Sequence, residues 1–135
     1  MATPDTTELA GEKNLTIEQG ATFEHLFTWC EYDAEASPSP IGAPFDLTGF
    51  KARMHIRKKF TSTVYYIELT TENGRIAITA LEGKIHLYIS AEDTADLAWN
   101  GTAYYDLELY DDGTSPVYVK RLVQGTVTLS KEATK

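Results

Sequence analysis

Hydrophobic and polar residues alternate along most of this chain with the two-residue period of a half-buried strand, not the 3.6-residue period of a helix. In GKIHLYI, Ile85, Leu87 and Ile89 fall on one face and Lys84, His86 and Tyr88 on the other. In YYDLELY, Tyr105, Leu107 and Leu109 oppose Asp106 and Glu108. In KARMHIRKK, Ala52, Met54 and Ile56 face inward and Arg53, His55 and Arg57 outward, and TVYYIELT repeats the pattern with Tyr65, Ile67 and Leu69 inward. A shorter alternation from Lys13 through Leu15 and Ile17 ends at Gly20. Ala21–Tyr32 reads as a longer strand, with Phe23, His25, Phe27 and Trp29 on one face and Leu26 and Cys30 on the other. Apolar residues on both of its faces imply burial from two sides or cover by a neighbouring subunit.

The connections carry their own signals. Asn73-Gly74 predicts a type I′ hairpin joining IELT to RIAIT, because that turn needs positive φ at both central residues. Leu81-Glu82-Gly83 makes the next tight turn, into GKIHLYI. Asp33–Pro44 contains three prolines and reads as a surface loop long enough to carry contacts. The helix candidate is Ala91–Asn100, with Ser90 as N-cap, Asp93 at the capping-box position and Gly101 at its end. Two turns do not persist alone, so Leu97 and Trp99 are expected to anchor it as a crossover between sheets. In the last strand Val117, Val119, Val123, Gly125, Val127 and Leu129 share a parity that Arg121 violates. Either a β-bulge near Arg121–Leu122 repairs the register, or Arg121 aims inward at a carboxylate such as Asp106.

These elements describe an all-β chain: an antiparallel, immunoglobulin-like β-sandwich of about eight or nine strands with one short crossover helix. Residues 1–12 read as a flexible arm, 13–130 as the sandwich domain and 131–135 as a charged tail. At 135 residues the chain is large enough for one hydrophobic core without staples. Its single cysteine, Cys30, forms no intramolecular disulfide. Neither a signal peptide nor a membrane span is recognised, so no membrane insertion is expected.

A net charge of −8 opposes general nucleic-acid binding, which needs a basic footprint. The basic residues are nevertheless clustered, and Lys51, Arg53, Arg57, Lys58 and Lys59 make up five of the twelve. Such a cluster is either a solvated strand face or a surface that meets an acidic patch on a neighbouring copy. Exposed tyrosines are the second feature: Tyr66, Tyr88, Tyr104, Tyr110 and Tyr118 take the polar parity of their strands. They suit a protein interface or a sugar-stacking platform, the latter with Trp29 or Trp99. Pro38 and Pro40 in the long loop join Lys51, Arg53, Arg57, Lys58, Lys59, Tyr66, Tyr88, Tyr104 and Tyr118 as the candidate interface.

No catalytic, cofactor-binding or metal-binding residues are assigned, and no cofactor is expected. His25, His55 and His86 sit on separate strands without ligand spacing, and no phosphate loop or nucleophile elbow is present. A hydrolytic site would require at least two of these histidines within about 5 Å of a carboxylate, the reach of a hydrogen bond or ion pair.

The succession LTIEQGATFEHLFTW, PFDLTGFKARMHIR, GKIHLYISAEDTADL, YYDLELYDDGT and RLVQGTVTLSKEAT resembles small virion proteins of tailed bacteriophages. It is most similar to the β-sandwich family that includes the collar proteins attaching L-shaped tail fibres to siphophage tails. The resemblance runs from Leu15 to Thr134. It is carried by DLTG before a strand with Arg53 and Arg57, the SAEDT helix start, YDLEL, and R-L-x-x-G-x-V. It implies a non-enzymatic subunit, made in the host bacterial cytoplasm and located in the virion. Such a subunit forms a homo-oligomeric ring near the tail tip, against tail-tube or tail-tip proteins, and holds a tail-fibre protein. Another head, neck or baseplate station is the alternative within that family; a carbohydrate-binding module is the alternative outside it.

Overall fold

Residues 51–57 and 102–111 run side by side at the centre of the larger of two packed β-sheets. The structure, a computed structural model, describes residues 11–32 and 41–133. In order, the strands are β1 (Gly11–Glu12), β2 (Leu15–Glu18), β3 (Phe23–Thr28), β4 (Cys30–Tyr32), β5 (Ile41–Pro44) and β6 (Lys51–Arg57). β7 (Ile67–Thr70), β8 (Ile76–Thr79) and β9 (Lys84–Ile89) follow, then the helix α1 (Ala91–Ala95), β10 (Thr102–Asp111) and β11 (Tyr118–Ser130). The larger sheet has the order β1-β11-β10-β6-β7, with β2 also on β11; the smaller is β3-β9-β8, and β4-β5 form a separate ribbon. The chain is therefore an all-β sandwich, with eleven strands among the described residues.

Alternation set the core as expected. Met54, Ile56, Leu107 and Leu109 of one sheet and Ile85, Leu87 and Ile89 of the other are all at most 1% exposed. Each such side chain contributes about 1.5–3 kcal/mol by leaving water. Tyr65, expected inward, is instead exposed, because β7 begins only at Ile67 and the preceding residues belong to the loop after β6. The expected strand 21–32 is broken at Trp29, whose N–H donates to Gly83 O (2.8 Å) while its carbonyl accepts from Phe45 N–H (2.9 Å). Leu26 lies on the outer face of β3 and is half exposed. Part of the expected proline loop is the strand β5, paired to β4. Pro38 and Pro40 lie outside the described residues.

Asn73-Gly74 does not make the expected hairpin. Gly74 has φ +81° but Asn73 is not left-handed, and β7 pairs with β6 while β8 pairs with β9. The turn carries the chain from one sheet to the other. Asn73 organises it: its Oδ1 accepts from Thr70 N–H (3.0 Å) and Arg75 N–H (3.0 Å). The return crossing is the expected helix, shortened to Ala91–Ala95. Ser90 Oγ accepts from Asp93 N–H (3.1 Å), as an N-cap should. The Asp93 carboxylate pairs with Arg75 (2.9 Å), which also donates to Glu68 O (2.9 Å), so one guanidinium ties the two crossings together. Leu97 and Trp99 are buried beyond the helix, and Gly101 turns left-handed six residues after the last helical residue, Ala95.

Two departures shape the last strand. β1 and β2 run parallel to β11, one after the other along its outer edge, so the sandwich is not wholly antiparallel, and Gly11 and Glu12 join the sheet. Between them the Lys13 carbonyl passes over Gly125 and accepts from Tyr105 Oη–H (2.7 Å). A Cβ at residue 125 would collide with that carbonyl. Gly125→Ala is expected to cost about 2 kcal/mol and to release the β1–β2 edge first. Hydrogen exchange should accelerate selectively at the amides of residues 15–18, and uniform protection would contradict it.

The second departure is a bulge: Leu107 pairs with Val123 but Glu108 with Arg121, leaving Leu122 as the extra residue. Of the two alternatives the sequence offered, the bulge occurs and the inward-pointing arginine does not. Arg121 Nε lies 3.4 Å from Asp106 Oδ2, but on the outer face, where the arginine is half exposed. Before the bulge the parity inverts, so Val117 and Val119, expected inside, are exposed (51% and 44%). Tyr118, assigned to the exposed interface, turns inward and packs on Phe50 (ring centroids 5.9 Å apart). Its buried hydroxyl has no hydrogen-bond partner among the described residues. Tyr118→Phe is expected to stabilise the fold by up to ~1 kcal/mol, read as a rise in urea midpoint; a fall would show that the hydroxyl is satisfied.

Candidate functional site

The outer face of the larger sheet is a lattice of paired charges. β6 lies between β7 and β10, so its outward basic residues meet outward acids of its neighbours. Arg53 Nε donates to Glu108 Oε1 (3.0 Å) and its guanidinium lies over the Tyr110 ring (4.5 Å). Lys51 Nζ donates to Asp112 (3.0 Å) and approaches Glu72 (4.0 Å); the Asp112 contact, foremost, raises the lysine's pKa. Burial, then the neighbouring Glu108 charge, push Asp106 above the usual carboxylate range, while Arg121, His55 and Arg57 pull it back. These contacts pair Lys51 and Arg53 of the basic cluster with acids of the same molecule.

The remainder of the cluster has a different setting. Arg57 donates to Ser62 O (3.0 Å) and to His55 Nδ1 (2.8 Å), neither of them a carboxylate. Lys58 and Lys59 are exposed and form no ion pair among the described residues. The loop they begin holds Phe60 (53% exposed), Val64 (75%), Tyr65 and Tyr66 at the surface. Phe60 packs on Tyr104 (5.1 Å), and Tyr66 stacks on the buried Trp99 (4.9 Å). Lys58, Lys59, Phe60, Tyr66 and Tyr104 line an open groove of about 600 Å³ at this end of the sheet. Of the residues expected at an interface, the structure gathers Lys58, Lys59, Tyr66 and Tyr104 here, with Arg57 beside them. Lys51 and Arg53 lie toward the opposite end, and Tyr88 lies on the outer face of the other sheet.

Phe60 and Val64 were not singled out in the sequence, Phe60 because it lies outside any strand period and Val64 because it takes the outward parity of the expected strand TVYYIELT. Apolar residues directly after two lysines in a loop were the available signal. The sugar-platform reading is weakened, because Trp99 is covered by Tyr66 and Trp29 stacks on Phe45 (4.6 Å).

The histidine distance requirement is met twice: His55 Nε2 lies 2.8 Å from Glu68 and His86 Nε2 3.6 Å from Glu24. The two pairs do not converge, however, because they occupy the outward faces of opposite sheets. Both His55 nitrogens are engaged, one by Glu68 and one by Arg57. His25 packs edge-on against Phe27, and burial, with Lys13 nearby, lowers its pKa. Among the described residues no group of three or more His, Cys, Asp or Glu converges as a metal site, and no helix is long and apolar enough to cross a membrane. No protein-family model matches the chain, and no curated protein matches it either.

Proposed function

We propose that this chain is a structural subunit of a tailed-phage virion, a ring-forming collar or adaptor near the tail tip that attaches tail fibres. The sequence resemblance supplies the setting. The structural observation that carries a role in assembly is the apolar surface left exposed at the end of the larger sheet, where Phe60 and Val64 stand beside Lys58 and Lys59. Apolar and aromatic groups rimmed by charge are what a protein interface presents.

The strand order supports the immunoglobulin-like form of sandwich that this reading implies. β11-β10-β6-β7 corresponds to the G-F-C-C′ order of a variable-type domain, and β3-β9-β8 to B-E-D. The crossings between sheets from β3 to β6, from β7 to β8 and from β9 to β10 fall where that correspondence requires them.

Mass spectrometry of purified particles, combined with imaging of the tail tip using a tagged chain, tests the proposal. The expected result is the chain in the particle as a ring at the fibre base. Its absence from particles would overturn the virion assignment, and a station at the head or neck would overturn the fibre-attachment role.

A further inference from the structure

β10 has two chemically opposite ends. At its start stand Lys58 and Lys59 with Phe60 and Val64. At its finish Glu72 and Asp112 flank Lys51, outnumbering it, with Asp111 next in the chain. Val119 is placed there by register, opposite Tyr110, and Val117 precedes it; both are exposed. One end thus joins cations that form no ion pair among the described residues to exposed apolar groups, and the other joins excess carboxylates to exposed apolar groups. A ten-residue strand separates them by about 30 Å, several Debye lengths at physiological salt, so they do not neutralise each other within one molecule.

We infer that these two ends are the halves of one head-to-tail contact, the Lys58–Lys59 end of one copy docking on the Glu72–Asp112 end of the next. The occupant is a second copy of this chain because the complementary charge and the complementary apolar surface are both present on it. A contact between different patches of identical molecules is heterologous, and it closes into a ring or continues as a filament. The inference rests on the homo-oligomeric reading proposed above and assigns the surfaces that mediate it. Phe60 and Val64 would be covered by Val117 and Val119 at the centre, with the charges setting orientation and rate of encounter.

Charge reversal tests the pairing. Lys58→Glu/Lys59→Glu makes both ends acidic, and Glu72→Lys/Asp112→Lys makes both ends basic; all four residues are exposed, and unchanged melting temperatures check the fold. In sedimentation velocity each double variant alone is expected to self-associate about 100-fold more weakly than the wild type. An equimolar mixture is expected to regain assembly, because each variant's altered end then meets its complement. Assembly of the wild type should also weaken with added salt. A wild type that assembles while both variants assemble equally well would overturn the head-to-tail contact and leave the oligomeric reading standing. Variants that dissociate but are not restored by mixing would likewise overturn the pairing of these two ends. A wild type that stays monomeric at ~0.5 mM would overturn both.

Discussion

Gly83→Ala is expected to destabilise the protein by about 3 kcal/mol and to lower its melting temperature by about 10 °C. Gly83 closes the turn between β8 and β9 with φ +62°. A side chain in that left-handed conformation costs roughly 1–2 kcal/mol by itself. The larger difficulty is space, because a Cβ there would strike the Trp29 carbonyl oxygen and crowd the Phe45 backbone. Those atoms hold the chain where β3 gives way to β4: Trp29 N–H donates to Gly83 O (2.8 Å), Phe45 N–H to Trp29 O (2.9 Å) and Leu47 N–H to Ala80 O (2.9 Å). Alanine would push this ladder away from the β8–β9 turn and loosen the stacked Trp29–Phe45 pair with it. Gly74→Ala separates the two causes. Gly74 is equally left-handed, at φ +81°, but beyond its own chain neighbours no atom of the described residues lies within 4 Å of where its Cβ would stand. It should lose only about 1 kcal/mol. Urea denaturation of both variants measures the difference, and equal losses would show that the Trp29 contact contributes nothing.

The core was legible in the sequence because pleating maps alternation directly onto burial. Ile85, Leu87 and Ile89, and Leu107 and Leu109, needed no knowledge of their partners. Ser90 was legible as a cap for a similar reason, since its bond to the Asp93 amide spans one turn. What failed was information held elsewhere in the chain. Asn73-Gly74 announced a reversal, but turn chemistry does not say which sheet receives the next strand. The bulge at Leu122 was anticipated from the intrusion of Arg121, yet its consequence was not followed through, namely that every residue before it changes face. That is why Val117 and Val119 emerge and Tyr118 goes in. The same limit divided the basic cluster. Lys51 and Arg53 meet acids more than fifty residues away in sequence, Asp112 and Glu108, so local composition made them look unpaired. Lys58 and Lys59 lie beyond the last rung of β6, where no neighbouring strand supplies a carboxylate.

Trp99→Ala is expected to have the largest effect of any single substitution considered, about 3–5 kcal/mol. Trp99 is only 5% exposed, and it fills the space where the chain leaves α1 and returns to β10. Its face supports Tyr66, with ring centroids 4.9 Å apart and planes inclined by 18°. Tyr66 in turn lines the groove that holds Lys58 and Lys59. Removing the indole therefore empties part of the core and takes away the support beneath one wall of the proposed contact. Trp99→Phe distinguishes these consequences. A phenyl ring keeps the aromatic support for Tyr66 and discards an indole N–H that has no partner among the described residues, so the loss should be about 1–2 kcal/mol. Denaturation midpoints give the stability order, wild type above Trp99→Phe above Trp99→Ala. Self-association should follow a different order when measured well below each midpoint, with Trp99→Phe close to wild type and Trp99→Ala weaker than its folded fraction explains. If Trp99→Ala associates like the wild type once folded, Tyr66 needs no support from Trp99, and the contact rests on Phe60, Val64 and the two lysines.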